Sequence, residues 1–469
     1  MPEFGETAVV LGGSIAGLMA ARVLADFYTT VTVLERDVLP ERPVPRRGVP
    51  HGPSPHIPQV RATKTMEELF PGLLNELVTM GARVWKDGDL SRIWMSFGGH
   101  EFLRSGSIPD PESVIKYYVN RPLLEWSIER RVRRIPNIEF LLDHDAVRLT
   151  STLTRNRITG VVAAHRDSGV EKVLTANLVV DATGRGSRTP VFLDDLGYRR
   201  PREDELMVHA AYASILLHVP PGTLREYMAV GGAVPNRPIG FAMFAGENET
   251  YMLGVQMMAG GQPPADYDSL LARLSDVAPR HIVDAARRAE PLAPLRQHRF
   301  PANRWRRYDK LTSMPQGLIV IGDAMCSFNP VYGQGMSIAA VEAAILRTCL
   351  ERGDRDLQRR YFRWAAKEIR TAWQAAVGAD LTLPQIHGRR PLSMRITNAY
   401  LRRVLAAAET DPVVVQQFMR LIGMVDRPSR LLRPSMVLRV FVHRKRAVTN
   451  APSPAGVDSP SQTASGSMD

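Results

Sequence analysis

Cysteine is nearly missing from this chain of 469 residues, which carries only Cys326 and Cys349. Two thiols cannot build the disulfide framework of a small secreted scaffold, and their spacing fits no metal-ligand pattern. Both fall in an apolar region, where a thiol is expected to be buried, and no metal is expected. Long apolar runs are missing too: none approaches the roughly 18 residues of a membrane-spanning helix. The opening MPEFGETAVVLGG enters a strand at once, with neither a basic leader segment nor a small-residue cleavage site. A cytoplasmic protein is therefore expected. Acidic residues are in deficit, with 60 Lys and Arg against 48 Asp and Glu, a formal net charge of +12. The basic excess is spread along the chain, with local groups at Arg130–Arg134, Arg304–Arg307 and His443–Arg446. No zinc-finger spacing or aromatic RNA-binding signature accompanies it, so no nucleic acid partner is expected. A diphosphate-bearing cofactor, with some attraction to a membrane surface, accounts for the charge better.

What is present is an ordinary globular composition, 44% apolar and 23% charged, long enough for two interleaved domains. Residues 7–12 (TAVVLG) read as a buried strand, GSIAG as a turn, LMAARVLADF as a helix and TTVTVLERD as a second buried strand. This unit opens a doubly wound α/β domain. Residues 40–60 are dense in Pro and Gly and read as a loop. Helical periodicity covers 61–80 and 121–134. From 138 to 181, IEFLL, AVRLTST, RITGVVAAH and KVLTANLVVDATG read as an antiparallel meander that returns to the parallel sheet. A strand-rich stretch at 205–260 reads as an open sheet facing the substrate, GLIVIGDA at 317–324 as one more buried strand, and the rest to about 445 as mostly helix. The polar tail beyond it is expected to be disordered.

Two segments carry the chemistry. In Gly12-Gly13-Ser14-Ile15-Ala16-Gly17, small residues at a strand-to-helix turn let backbone approach a pyrophosphate, and the helix start offers free N–H groups. Ser14 stands where the GxGxxG pattern has its middle glycine. Glu35 ends the next strand, 18 residues past Gly17, where a carboxylate can take ribose hydroxyls. The second segment runs from Gly322 to Ala344. Asp323 follows Gly322 at the carboxyl end of a buried strand, placed to accept hydrogen bonds from a polyol such as ribitol. Pro330, Gly333, Gln334 and Gly335 then lead into an amphipathic helix, so that a flat ring can lie against backbone with an anionic edge at the helix start.

With these segments, DATGRGSR at 181–188 and the loop RRGVPHGPSPH at 46–56, the chain resembles the FAD-dependent aromatic hydroxylase superfamily (group A flavoprotein monooxygenases), especially its polyketide and terpenoid epoxidase-like members. The resemblance covers residues 7 to about 345. The family loop is usually written RxGVPQGxHxH; here His51 replaces the glutamine, Ser54 the first histidine, and His56 keeps the last. The family's middle motif commonly carries an Asp-Gly pair for FAD and nicotinamide binding; here the pair is Thr183–Gly184, with Asp181 two residues earlier. The resemblance implies a Rossmann-like FAD-binding domain of the glutathione reductase and p-hydroxybenzoate hydroxylase type, an interleaved β-sheet substrate domain and C-terminal helices. In residues these are 1–200 with 300–350, then 201–299, then 351–447, before a tail at 448–469. It places Gly12, Gly13, Ser14, Ala16 and Gly17 at the pyrophosphate turn, Glu35 at the adenosine ribose with Arg36 beside it, and Arg121 at the phosphates. Asp323 goes to the ribitol or pyrophosphate side, and Gly333, Gln334, Gly335 and Met336 to the isoalloxazine N1–O2 edge.

The implied activity is that of a monooxygenase. FAD, reduced by NADPH or NADH, reacts with O2 to a C4a-hydroperoxide that hydroxylates or epoxidises a lipophilic small molecule. No protein acid–base pair is strictly required, and no catalytic residue is assigned. The alternative is an FAD-dependent reductase or dehydrogenase acting on an isoprenoid- or polyketide-like alkene; a non-catalytic flavin-binding protein is a third reading. A halogenase would be expected to show WxWxIP, and no two Trp here are two apart. His209, Tyr212, Met243, Phe244, Tyr251, Met252, Met257 and Met258 together suggest an apolar pocket, with His209 and Tyr212 on opposite faces of a strand. Two roles stay open for His56, an approach to the flavin and a loop hydrogen bond. The arginine-edged C-terminal helices either cap the domain or rest on an anionic membrane.

Overall fold

The apolar run Thr7–Leu11 has no alternation because both its faces are covered, and it becomes the middle strand of a parallel sheet. In the computed structural model, which describes residues 5–49 and 52–442, that sheet has the order Leu318–Val320, Leu178–Asp181, Thr7–Leu11, Thr30–Leu34, Ile138–Leu141. Every pairing in it is parallel. Ile138–Leu141 thus belongs to the parallel sheet and not to the meander, since it returns through the helix Arg121–Arg133 to lie beside Thr30–Leu34. The meander itself is His144–Ser151, Ile158–His165 and Glu171–Thr175. Leu11, Leu34 and Asp181 close their strands at one edge, where the order switches direction about Thr7–Leu11, the place where doubly wound sheets open a crevice.

The helix Ile15–Leu24 is buried on nearly all sides, being packed between the parallel sheet and its helical neighbours. The periodicity at 61–80 resolves into two helices, Val60–Leu69 and Leu73–Thr79, because Pro71–Gly72 interrupts it. Across the crevice lies a nine-stranded, largely antiparallel sheet. Its centre is Glu203–His218, Thr250–Met257 and Ile239–Ala245, and it also takes Ile93–Phe97 from earlier in the chain and Arg296–Arg306 with Cys326–Ser327 from later. A register shift between Met207 and Ala210, with His209 at φ 44°, turns the His209 ring out to solvent and leaves Tyr212 facing inward.

The helices Leu392–Ala407, Pro412–Ile422 and Pro434–Val442 cover the far end of this sheet. Phe418 meets Phe102 edge-on at 5.0 Å between ring centroids, a favourable aromatic geometry. No helix among the described residues is long and apolar enough to cross a membrane. His51, the basic group at 443–446 and the tail at 448–469 lie outside the described residues. Cys326 and Cys349 are both buried free thiols.

Candidate cofactor and substrate cavity

The carboxyl edge of the parallel sheet and the inner face of the nine-stranded sheet enclose a cavity of about 2280 Å³. Its floor is the glycine turn. Gly12 takes φ 99°, and a side chain there would come 2.7 Å from the Ala182 carbonyl. A Cβ on Gly17 would fall 1.8 Å from the Gly12 oxygen, so the turn closes only because that position is bare. Ser14, in the middle-glycine position, is tied down: its hydroxyl donates to Glu125 (3.0 Å) and accepts from Arg121 Nη2 (3.1 Å).

Glu35 accepts the Gly13 N–H at 2.6 Å and the Asp37 N–H at 2.9 Å, and pairs with Arg46 at 3.2 Å. A carboxylate offers about four acceptor sites, so these leave one for a ribose hydroxyl. Arg46 is the hub of the region. It reaches Glu35, Asp37 (3.1 Å) and Glu125 (2.8 Å), and donates to the Gly13 carbonyl. Burial alone would lower its pKa, but Glu125, Glu35 and Asp37 more than offset that and raise it.

Asp181 is spoken for by its own loop. It accepts the Thr183 N–H and hydroxyl and the hydroxyls of Ser187 and Thr189, which shapes the backbone carrying Thr183 and Gly184. At the third segment, the Gly322 N–H is held by Glu342 at 2.6 Å and Asp323 turns into the cavity. Burial pushes the Asp323 carboxyl up, opposed by the charges of Arg121 and Arg185. The helix Gly335–Glu351 begins on the cavity wall. Two buried polar atoms on this wall, Arg121 Nε and Gln334 Oε1, have no hydrogen-bond partner among the described residues.

Fifteen of the seventeen expected cofactor residues line this one cavity: Gly12, Ser14, Ala16, Glu35, Arg36, Arg121, Thr183, Gly184, Gly322, Asp323, Pro330, Gly333, Gln334, Gly335 and Met336. Gly13 and Gly17 stand behind it, acting through the backbone of the turn. Arg36 lies at the rim, with Asp145 3.7 Å away.

The opposite wall is apolar, with Met95, Phe97, Met228, Phe241, Phe244 and Met258 facing inward. Of the side chains expected in a pocket, Met243, Tyr251, Met252 and Met257 are instead buried and do not line the cavity. His56 lines the cavity and also makes a loop hydrogen bond, its Nδ1–H donating to the Ser54 carbonyl at 2.7 Å. Burial, with Arg121 nearby, lowers its pKa to about 3, so the ring is neutral at physiological pH.

Sequence reasoning missed a polar cluster at one end of this wall. Asp380, the last residue of the helix Leu357–Asp380, accepts from Tyr332 (2.6 Å), Asn303 (2.6 Å) and Asn329 (3.1 Å), while Tyr212 and Gln256 bond to one another and to Asn329. It missed Lys116 and Gln59 as well, and it gave Arg46 no role. Lys116 in KYYV, a lysine at the head of a short apolar strand, was the available signal; Asp380 offered none, being brought to the site only by tertiary packing.

No family model matches the sequence. Protein Rv3254 of Mycobacterium tuberculosis (strain ATCC 25618 / H37Rv) is 35% identical over 448 residues, covering 94% of this chain and 94% of that one. Among solved structures, flavin-dependent brominase Bmp2 aligns with a TM-score of 0.64 at 15% identity over 93% of this chain and 97% of its own. The p-nitrophenol 4-monooxygenase PnpA from Pseudomonas putida DLL-E4 gives 0.64 at 16% identity over 90% and 100%. At such identities these structures speak to the fold alone.

Proposed function

We propose, for a chain that belongs to the same family as Protein Rv3254 and has the fold of the FAD-dependent aromatic hydroxylase superfamily, the function of an FAD-dependent monooxygenase. It would use NADPH or NADH and O2 to hydroxylate or epoxidise a lipophilic small molecule. The observation that carries this reading is the convergence of three separate glycine-bearing segments on one cavity whose other wall is apolar. About 2280 Å³ exceeds the roughly 300–1000 Å³ of a single-ligand site, which suits a dinucleotide and a substrate together. The unpartnered Arg121 Nε and Gln334 Oε1 fit FAD, the one as a phosphate donor and the other as an acceptor for a ring N–H.

FAD, when bound, supplies the redox chemistry: two electrons from the nicotinamide, one oxygen atom to the substrate and the other to water. The chain's residues bind and orient. The Gly12–Gly17 turn takes the pyrophosphate, Glu35 the adenosine ribose and Arg121 a phosphate. Asp323 accepts ribitol hydroxyls. The start of the helix Gly335–Glu351 places its positive end at the anionic edge of the ring. Phe97, Phe241 and Phe244 exclude water from the reacting face.

The test is the absorbance spectrum of the purified protein, followed anaerobically through NADPH addition and then through mixing with O2. A two-band flavin spectrum that bleaches, and returns with an oxygenated product when substrate is present, supports the reading. Reoxidation to peroxide alone in the presence of a bound substrate favours the reductase. No flavin after reconstitution with FAD overturns it.

A membrane-surface location accompanies this proposal. Leu392, Ile396 and Leu432 are 69%, 61% and 64% exposed at the cavity rim, with Arg395 and Arg427 beside them. Apolar side chains edged by arginine suit an anionic lipid surface from which a lipophilic substrate enters. Co-sedimentation with phosphatidylglycerol vesicles, lost in the Leu392→Ser/Ile396→Ser double variant, checks it.

A further inference from the structure

Lys116 opens the strand Lys116–Tyr118, paired with Arg83–Trp85, and is only 2% exposed. It lies on the cavity wall, where its Nζ donates to Gln59 Oε1 at 3.3 Å. Among the described residues no carboxylate stands within ion-pair distance of it. Other buried or half-buried cations that line the cavity differ: Arg46, Arg61 and Arg121 each face a glutamate. An ammonium taken out of water without a counter-charge is strongly disfavoured, and here burial alone lowers the amine's pKa to about 8. The Gln59 amide in turn leans over the turn before the ring-facing helix, where a Cβ on Gly333 would lie 3.0 Å from its Nε2. The amine therefore sits one side chain away from that turn, at the edge of an apolar chamber.

We propose that Lys116 is a specificity-determining residue that pairs with a carboxylate of the substrate, and that the substrates are lipophilic carboxylic acids. This rests on the flavoprotein reading above. The other source of negative charge is the flavin ring, which already has the positive end of the helix Gly335–Glu351. An unpaired amine in an apolar chamber also rejects a neutral analogue, because binding it would leave the charge buried and unanswered.

The experiment uses the FAD-loaded protein and a panel of polycyclic aromatic acids, each with its carboxamide, such as 9-anthracenecarboxylate and 9-anthracenecarboxamide. Binding is read on the probe's own fluorescence. Wild-type protein is expected to hold acids at least about tenfold more tightly than amides. Lys116→Met removes that preference and Lys116→Arg restores much of it. Sulfite affinity for the flavin, which reports positive charge at the ring, stays within about twofold in all three. No acid in the panel preferred by wild type overturns the proposal, as does a preference that survives Lys116→Met. A sulfite affinity that falls more than tenfold in Lys116→Met assigns the charge to the flavin and also overturns it. If Lys116→Met does not fold, the wild-type acid–amide ratio decides. A chain that takes up no FAD sinks the flavoprotein reading separately, since the fluorescence readout does not depend on flavin.

Discussion

On the glycine-turn wall, Arg46 meets Glu35, Asp37 and Glu125, Ser14 bridges Arg121 and Glu125, and Asp181 is saturated by its own loop. Across the cavity, among the described residues, Lys116 meets only an amide and Asp380 is held by neutral donors alone. The first wall has its charges paired before any ligand arrives and is pre-organised. The second keeps charged groups bonded only to neutral partners among the described residues, in largely apolar surroundings, an arrangement that discriminates between ligands more than it holds one shape.

The contrast breaks most visibly at Gly17. Its Cβ would overlap the Gly12 carbonyl, so Gly17→Ala is expected to abolish flavin retention by displacing the turn. Absorbance at the flavin bands per mole of protein checks this; a full complement of FAD with unchanged melting would mean the turn is not rigid. Arg46→Ala comes next. Leaving three carboxylates without their shared guanidinium is expected to cost about 3–5 kcal/mol, read as a lower urea midpoint at unchanged slope. A loss under about 1 kcal/mol would show that the network is not pre-organised.

Asp380→Asn sharpens the other side. The amide must present a donor to one of three donors already there, for an expected loss of about 1–3 kcal/mol without change in FAD content. If FAD content falls with stability, the two walls are not independent. The smallest effect concerns His56. With its pKa lowered by burial to about 3, it is expected to stay neutral with the proton on Nδ1 from pH 5 to 9. Folding favours the neutral ring, so this contribution is intact above the unfolded value near 6.5 and declines as pH falls from there toward 3. Nitrogen NMR of the imidazole checks it, and a charged ring at pH 6 would contradict the burial.

Local sequence determined a large part of this. The apolar runs at Thr7–Leu11 and Leu318–Val320 read as strands covered on both faces, Thr30–Leu34 reads as a strand from its β-branched residues, and the glycine turn with Glu35 places itself, because its geometry is set within some 25 residues of chain. The partition of the later strands was not legible. Ile138–Leu141 looks like a meander strand and pairs in parallel, since strand partners are chosen by long-range packing. Only the tertiary structure decided that Arg46 knits three carboxylates, that Met243 and Met257 face the core while Phe244 and Met258 face the cavity, and that Asp380 meets Tyr332 across 48 positions. Whether a charge is paired depends on distance in space, and sequence separation carries almost none of that information.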